Sequence, residues 1–301
     1  MIKTTLKFTI PVSFLFVFFL IGCNQKRESV FKSENGIKFD SIHTEEQFFL
    51  ENNPENPSCN LTLILEYPVQ SDYFDIEPLQ KIFTSVIFGS EYEKMSFDEA
   101  AKKYTQGYIE NYKADAEIYK TTKPNQDYGE SFEDLYLTDS EHHHSPDIFY
   151  SYFEHISNAI VFNRYGILSF QVIQTNNKGG RVSHENIRNY AIDLAKEELL
   201  TEEDIFSAGF DEALRPIIQN LLMEKEGVKT TQQLEDLGFF GIDEIVPNKN
   251  FLITKNGIKY TFNKGEYSAY QLPPAEILIP FSSVRSLLRE NSIAGKLSKT
   301  S

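Results

Sequence analysis

The chain has 301 residues, 41% of them apolar, with 25 Phe and 16 Tyr, which is ample material for a packed core and argues against wholesale disorder. A formal charge of −15 excludes nucleic acid as a natural partner, because affinity for phosphates needs clustered Lys and Arg. With Cys23 and Cys59 as the two cysteines, a disulfide framework and a Cys/His zinc pattern are excluded as well.

Lys3 and Lys7 precede an apolar run from Phe8 to Ile21, which is too short for a spanning helix and has the layout of a secretory signal. The run ends in Leu20-Ile21-Gly22-Cys23, which resembles the lipobox of bacterial lipoproteins, whose Cys is diacylated and becomes the mature N-terminus. Residues 1–22 are therefore expected to be removed. Cys23 is then the lipidation site, and residues 23–36 serve as a polar tether. Because residues 1–22 hold two lysines and no acid, the mature charge becomes −17. Asn24 is not the Asp that retains many Gram-negative lipoproteins at the inner membrane, so the expected location is the outer membrane or the periplasmic face. With Cys23 taken by lipid, Cys59 has no disulfide partner, and its place before a strand suits packing better than chemistry.

Gly36–Leu50 reads as an opening strand, and Pro54 and Pro57 break the segment after it. In Asn60–Tyr67 the residues Leu61, Leu63 and Leu65 alternate with Thr62, Ile64 and Glu66, the strand pattern, and Pro68 is expected to stop it. Asp75 caps a helix carrying Ile76, Leu79, Ile82, Phe83, Val86 and Ile87, which Gly89 ends. Ser96 and Glu99 form a capping box that opens a helix running to Tyr119, with Ala100, Ala101, Tyr104, Tyr108 and Tyr112 on one side. Thr121–Pro146 is the most polar internal stretch and reads as a long loop. Phe149–Arg164 and Gly166–Thr175 are strands around a tight turn at Asn163–Gly166. Arg181–Leu194 is a third, so an antiparallel meander is predicted. Helices follow at about Phe210–Lys225 and Thr231–Leu237, then a hairpin over Lys255-Asn256-Gly257, a strand at Glu276–Ile279 and a helix over Pro280–Arg289. The fold class is α+β with largely antiparallel sheets and packed helices. The division is residues 37–178 as an N-terminal subdomain, 179–291 as a C-terminal one and 292–301 as a tail.

Three blocks in this order resemble the extracytoplasmic part of RsiV-type anti-sigma factors, a domain pair also found beside peptidoglycan deacetylase domains. They are Asn60–Pro68 with its helices to Tyr112, then Tyr165–Ser169 through Gly179-Gly180 to Phe206, and Phe251–Leu288 with its Tyr-containing loop (Tyr267, Tyr270) and Ile279-Pro280 helix entry. The resemblance implies a C-terminal RsiV-like domain and an envelope compartment. Since some members sense lysozyme, it also implies a lysozyme-type protein or peptidoglycan as partner. Here a lipobox stands where those proteins have a sigma-binding segment and a spanning helix. The family's His directly after a Gly-Gly-Ala turn is displaced to His184, behind Arg181-Val182-Ser183.

The leading expectation is a non-enzymatic binding or sensing module held to the membrane through its N-terminal lipid and needing no cofactor. Binding residues are sought at His184, Arg181, Glu185, Tyr267 and Tyr270. One alternative is an enzyme acting on envelope polysaccharide, with His184 and nearby carboxylates as acid and base. Another is divalent-metal binding by the loop bearing Asp139 and His142–His144, although adjacent loop residues cannot all face one ion. His43 and His155 sit beside apolar residues and read as hydrogen-bonded structural histidines. The acidic loop Asp127–Asp147, with Tyr128, Tyr136 and Phe149 in or beside it, would speed encounter with a cationic protein such as a lysozyme-type muramidase.

Overall fold

A computed structural model describes residues 34–122, 150–179 and 182–299. Cys23, Asp139, His142, His144, Arg181 and the acidic loop lie outside the described residues. The α+β class holds: a six-stranded sheet and a three-stranded sheet carry helices on them.

The large sheet has strands in the order β1 (Ile37–Phe49), β2 (Ser58–Ser71), β3 (Tyr152–Arg164), β4 (Ile167–Lys178), β5 (His184–Asp193) and β6 (Glu198–Leu199). Neighbours are antiparallel except β2 and β3, which run parallel because two helices intervene and return the chain to the same end. Those helices are α1 (Ile76–Phe88) and α2 (Phe97–Thr122). The Asp75 carboxylate accepts from the Glu77 amide to start α1, and Ser96 and Glu99 close a capping box on α2. On one face of the sheet Leu61, Leu63, Leu65, Ile156, Leu168, Phe170 and Val172 bury against Leu79, Phe83 and Ile87 of α1 and Phe97 and Ala100 of α2. The Phe83 and Phe170 rings stack at 4.1 Å in the middle of this core.

Pro68 does not stop β2. Only β1 lies beside it there, since β3 pairs β2 over Cys59–Ile64 alone. Between Lys38 and Phe39 the register slips, leaving Val69 as an extra residue, and a bulge tolerates the missing N–H. The β3–β4 turn does follow the prediction: Tyr165 (φ 56°) and Gly166 (φ 74°) are both left-handed, as a two-residue hairpin turn requires. Asn35 locks that turn to the start of the fold. Its side-chain amide donates to Asn163 Oδ1 and to the Ile167 carbonyl, each at 2.8 Å, and its oxygen accepts from the Gly166 amide.

The C-terminal unit comprises α3 (Glu202–Ile205), α4 (Phe210–Glu226), α5 (Thr231–Asp236), β7 (Phe251–Ile253), β8 (Gly257–Phe262), β9 (Ala275–Pro280), α6 (Phe281–Val284) and α7 (Ile293–Leu297). The predicted Pro280–Arg289 helix is only four residues long, ending in turns at Leu287 and Leu288. Phe210, Leu214, Ile218 and Leu222, each four apart, bury α4 against β8 and β9 in a second core. Ile167 of β4 and Ala191 of β5 enter this core from the large sheet. That explains why Ile167-Leu168-Ser169-Phe170 is buried without alternation: helices cover one face of β4 and the small sheet covers the other. Gly257 is not left-handed, so the Asn-Gly turn rests on another property. A Cβ there would stand 2.0 Å from the Ile279 carbonyl oxygen, and only glycine lets β8 approach β9.

The two edges of the large sheet differ. At the far edge β6 covers only Ile192 and Asp193 of β5, and Asn250 and Asn263, which flank strands of the small sheet, reach in beside the rest. Ile187 N donates to Asn263 Oδ1 (2.8 Å), Asn189 N donates to Asn250 Oδ1 (2.7 Å), and both asparagine amides donate to the Ile187 carbonyl. Two side chains thus supply the bonds that another strand would have made. At the β1 edge no strand pairs among the described residues.

Candidate functional site

The described candidate residues do not converge. His184 is the first residue of β5, exposed and opposite Asn176. Neighbouring strand residues point to opposite faces, so His184 and Glu185 cannot act as an acid–base pair on one substrate. Glu185 instead faces Lys264 at 3.7 Å. Tyr267 packs edge-on against Phe262 at 5.4 Å and belongs to the second core, while Tyr270 is 69% exposed with its ring over Gly265. His43 is exposed and bonded to Glu45 at 3.0 Å. His155 is half-buried in a cross-strand row between Thr62 and Thr175. Burial raises the Cys59 thiol to about 11, so it stays protonated at neutral pH and is no nucleophile. No cluster of metal-ligating side chains occurs among the described residues.

What the fold does build is a cleft of about 650 Å³ between the open edge strand and α2. Its floor is one face of β1, where Ile42, Thr44 and Glu46 follow at the strand period of two. Its wall is a stripe of α2 at helical spacing, Asp98, Ala101, Lys102, Thr105, Ile109 and Lys113. The wall is low because its central residues are small, and Thr105 Oγ1 turns back to the Ala101 carbonyl at 2.8 Å. The adjacent stripe of α2 is bulky and ties the helix to the sheet beneath it. Tyr104 donates to the buried Glu154 carboxylate at 2.8 Å, and Gln174 donates to its other oxygen at 2.6 Å. Burial, with the Glu154 charge beside it, pushes the Tyr104 hydroxyl far above the ordinary phenol range, as it does for Tyr108. The Tyr108 hydroxyl is buried without a hydrogen-bond partner. At the start of α2, Tyr67 stacks on Phe97 at 4.2 Å and bonds Asp98. At the far end of the cleft, the Lys113 ammonium lies 4.5 Å above the Phe48 ring. The sequence carried one signal for this site: Ala101, Thr105 and Ile109 form a second stripe beside the tyrosines of the same helix.

In the C-terminal unit one carboxylate is nearly inaccessible. Glu202, 2% exposed, accepts from the Lys249 amide at 2.9 Å, and Lys249 is itself left-handed at φ 62°. Burial raises the Glu202 carboxyl above its usual range. Immediately after it, residues 203–282 match the model of a family described as "Protein of unknown function (DUF3298)". The chain carries a DUF3298 domain. Among solved structures, a member of the DUF3298 family from Bacteroides fragilis is similar over 89% of this chain and all of its own, with TM-score 0.75 and 27% identity. A DUF3298 family protein from Pseudomonas aeruginosa shares the fold over 86% of this chain and 97% of its own, with TM-score 0.54 and 10% identity. No curated protein matches the chain. The matched segment holds most of the second core and both loop tyrosines, whereas the cleft lies outside it, lined by residues between 42 and 113.

Proposed function

We propose that this protein is a lipid-anchored, non-enzymatic binding or sensing module of the bacterial cell envelope, facing the periplasm or held at the outer membrane, with the cleft between β1 and α2 as its binding site. The observation that carries the reading is the composition of that cleft. Carboxylates, ammonium groups, hydroxyls and aliphatic side chains line it together, a mix of polar and apolar groups suited to holding a ligand. The separation of His184 from Glu185 across the sheet weighs against the polysaccharide-acting alternative. The lipobox at Leu20–Cys23 supports the anchor, and the likeness to RsiV-type extracytoplasmic domains supports a lysozyme-type muramidase or peptidoglycan as the ligand.

Calorimetric titration of the protein with a lysozyme-type muramidase, and separately with soluble peptidoglycan fragments, tests the binding. Heat that persists at near-physiological salt and is lost in Thr105→Trp, which fills the cleft from its wall, is the expected result. Heat that vanishes with salt marks nonspecific attraction, and no heat from either probe removes both ligands from the reading. For the anchor, Cys23→Ala is expected to give a folded protein in the soluble fraction, since stable attachment needs two acyl chains. A variant that still sediments with membranes refutes lipidation.

A further inference from the structure

We infer that the cleft takes an extended peptide that adds to the outer edge of β1 as a seventh strand of the large sheet, with basic side chains at alternate positions. The inference rests on the cleft being the binding site and specifies what enters it. Three observations carry it. β1 runs for 13 residues with no strand on its outer side among the described residues, so its outward amides and carbonyls form a template for pairing. The cleft lies along that same strand and repeats with its period. A strand laid on the edge drops every second side chain between the floor of Ile42, Thr44 and Glu46 and the wall of α2. Backbone bonds would give affinity there, and the cleft would select side chains.

The third observation is charge. Glu46 stands on the floor, Asp98 and Glu110 stand towards the two ends of the wall, and Asp40 lies on the floor's face of the strand. Against these stand Lys102 and Lys113 in the cleft, the latter over the Phe48 ring, and Lys38 on the strand. The surplus is acidic, and a peptide with alternating Lys or Arg complements it. The same acids oppose a second copy of this chain, since antiparallel pairing of two β1 strands about His43 sets Asp40 against Glu46.

The test uses the purified full chain at near-physiological salt with labelled peptides of about nine residues, a typical strand length or longer. One alternates Lys and Val, one alternates Glu and Val, and one is the Lys peptide N-methylated at every second amide. Fluorescence anisotropy reads binding, and amide hydrogen exchange locates it. The Lys peptide is expected to bind and to slow exchange over residues 37–49, and the other two to bind weaker by about tenfold or more. Thr105→Trp, with unchanged thermal unfolding, is expected to lose binding by a similar factor, and Glu46→Lys to reverse the preference between the Lys and Glu peptides. Equal binding of the N-methylated peptide, protection elsewhere than β1, or a dimer of the chain already paired through β1 overturns strand addition. If no peptide binds while muramidase or peptidoglycan heat is abolished by Thr105→Trp, strand addition falls and the cleft stands as the binding site. If Thr105→Trp alters neither, both fall.

Discussion

The two edges of the large sheet solve one problem in opposite ways. At β5, Asn250 and Asn263 satisfy the backbone of Ile187 and Asn189, so that edge is finished from within the molecule. At β1, the described chain supplies charged side chains but no pairing partner, and α2 stands back to leave a cleft. Charges on an edge discourage indiscriminate pairing while leaving the backbone groups available. The difference teaches that an edge is closed where the fold needs the second sheet to dock, and kept open where the first helix layer ends.

Breaking the closed edge should have the largest effect. Asn250→Ala deletes the bonds to the Ile187 carbonyl, the Asn189 amide and the Thr261 carbonyl together. A loss of about 3 kcal/mol is expected, roughly 1 kcal/mol for each of the three hydrogen bonds, with the Asn189 amide left without a partner while Asn263 and Asn248 still serve the two carbonyls. Urea denaturation measures it, and a loss below about 1 kcal/mol would mean that water replaces the asparagine.

The seating of α2, which shapes the open edge, is tested next by two substitutions one helical turn apart. Tyr104→Phe removes a donor from the buried Glu154 carboxylate and should cost about 2 kcal/mol, within the range for hydrogen bonds to charged groups. Tyr108→Phe removes a buried hydroxyl that has no partner and should be neutral or stabilising by about 0.5 kcal/mol. Equal effects would show that the two hydroxyls share one environment, contrary to the geometry.

The closed edge should also respond to pH through Glu202, which holds the Lys249 amide next to Asn250. Burial raises the folded-state pKa of this carboxyl above its unfolded value, so the folded state favours the protonated form. That contribution is fully present below the unfolded pKa and is lost as pH rises through the folded one. Glu202→Gln keeps the acceptor oxygen and carries no charge, so its stability relative to the unmodified chain should rise from acidic to neutral pH. A difference that is flat across that window would disprove the assignment. The smallest effect belongs to the open edge: Ser41→Ala or Lys38→Ala on β1 should shift stability by about 0.5 kcal/mol or less.

Elements with local signatures were legible in the sequence. The alternating leucines of β2, the Asp75 cap, the Ser96–Glu99 box, the Gly89 stop and the left-handed Tyr165-Gly166 turn all act within a few residues of themselves. What escaped depends on distant partners. Whether Pro68 breaks or bulges its strand is decided by how far β3 extends, and the need for glycine at 257 is set by β9. The short α7, whose Ala294 and Leu297 dock into the second core, carries too little periodicity to be read, and α6 was read in the right place but too long. The asparagine caps at 250 and 263 look like ordinary turn residues until β5 lies beside them. The cleft was half visible, since the stripe of Ala101, Thr105 and Ile109 can be found on a helical wheel but the strand facing it cannot.

Asn35 has a mechanical consequence for any pull applied to the N-terminal end of the fold. A pull on that end would otherwise unzip β1 from β2 one pair at a time, beginning at Ile37 and Ser71, the weakest way to load an edge strand. The three bonds of Asn35, two of them buried, instead pass the load to Asn163, Gly166 and Ile167, at the turn between the two middle strands of the sheet. They would have to rupture together before β1 feels any tension. Such a pull therefore strains the β3–β4 hairpin first, and the edge strand beside the cleft keeps its shape.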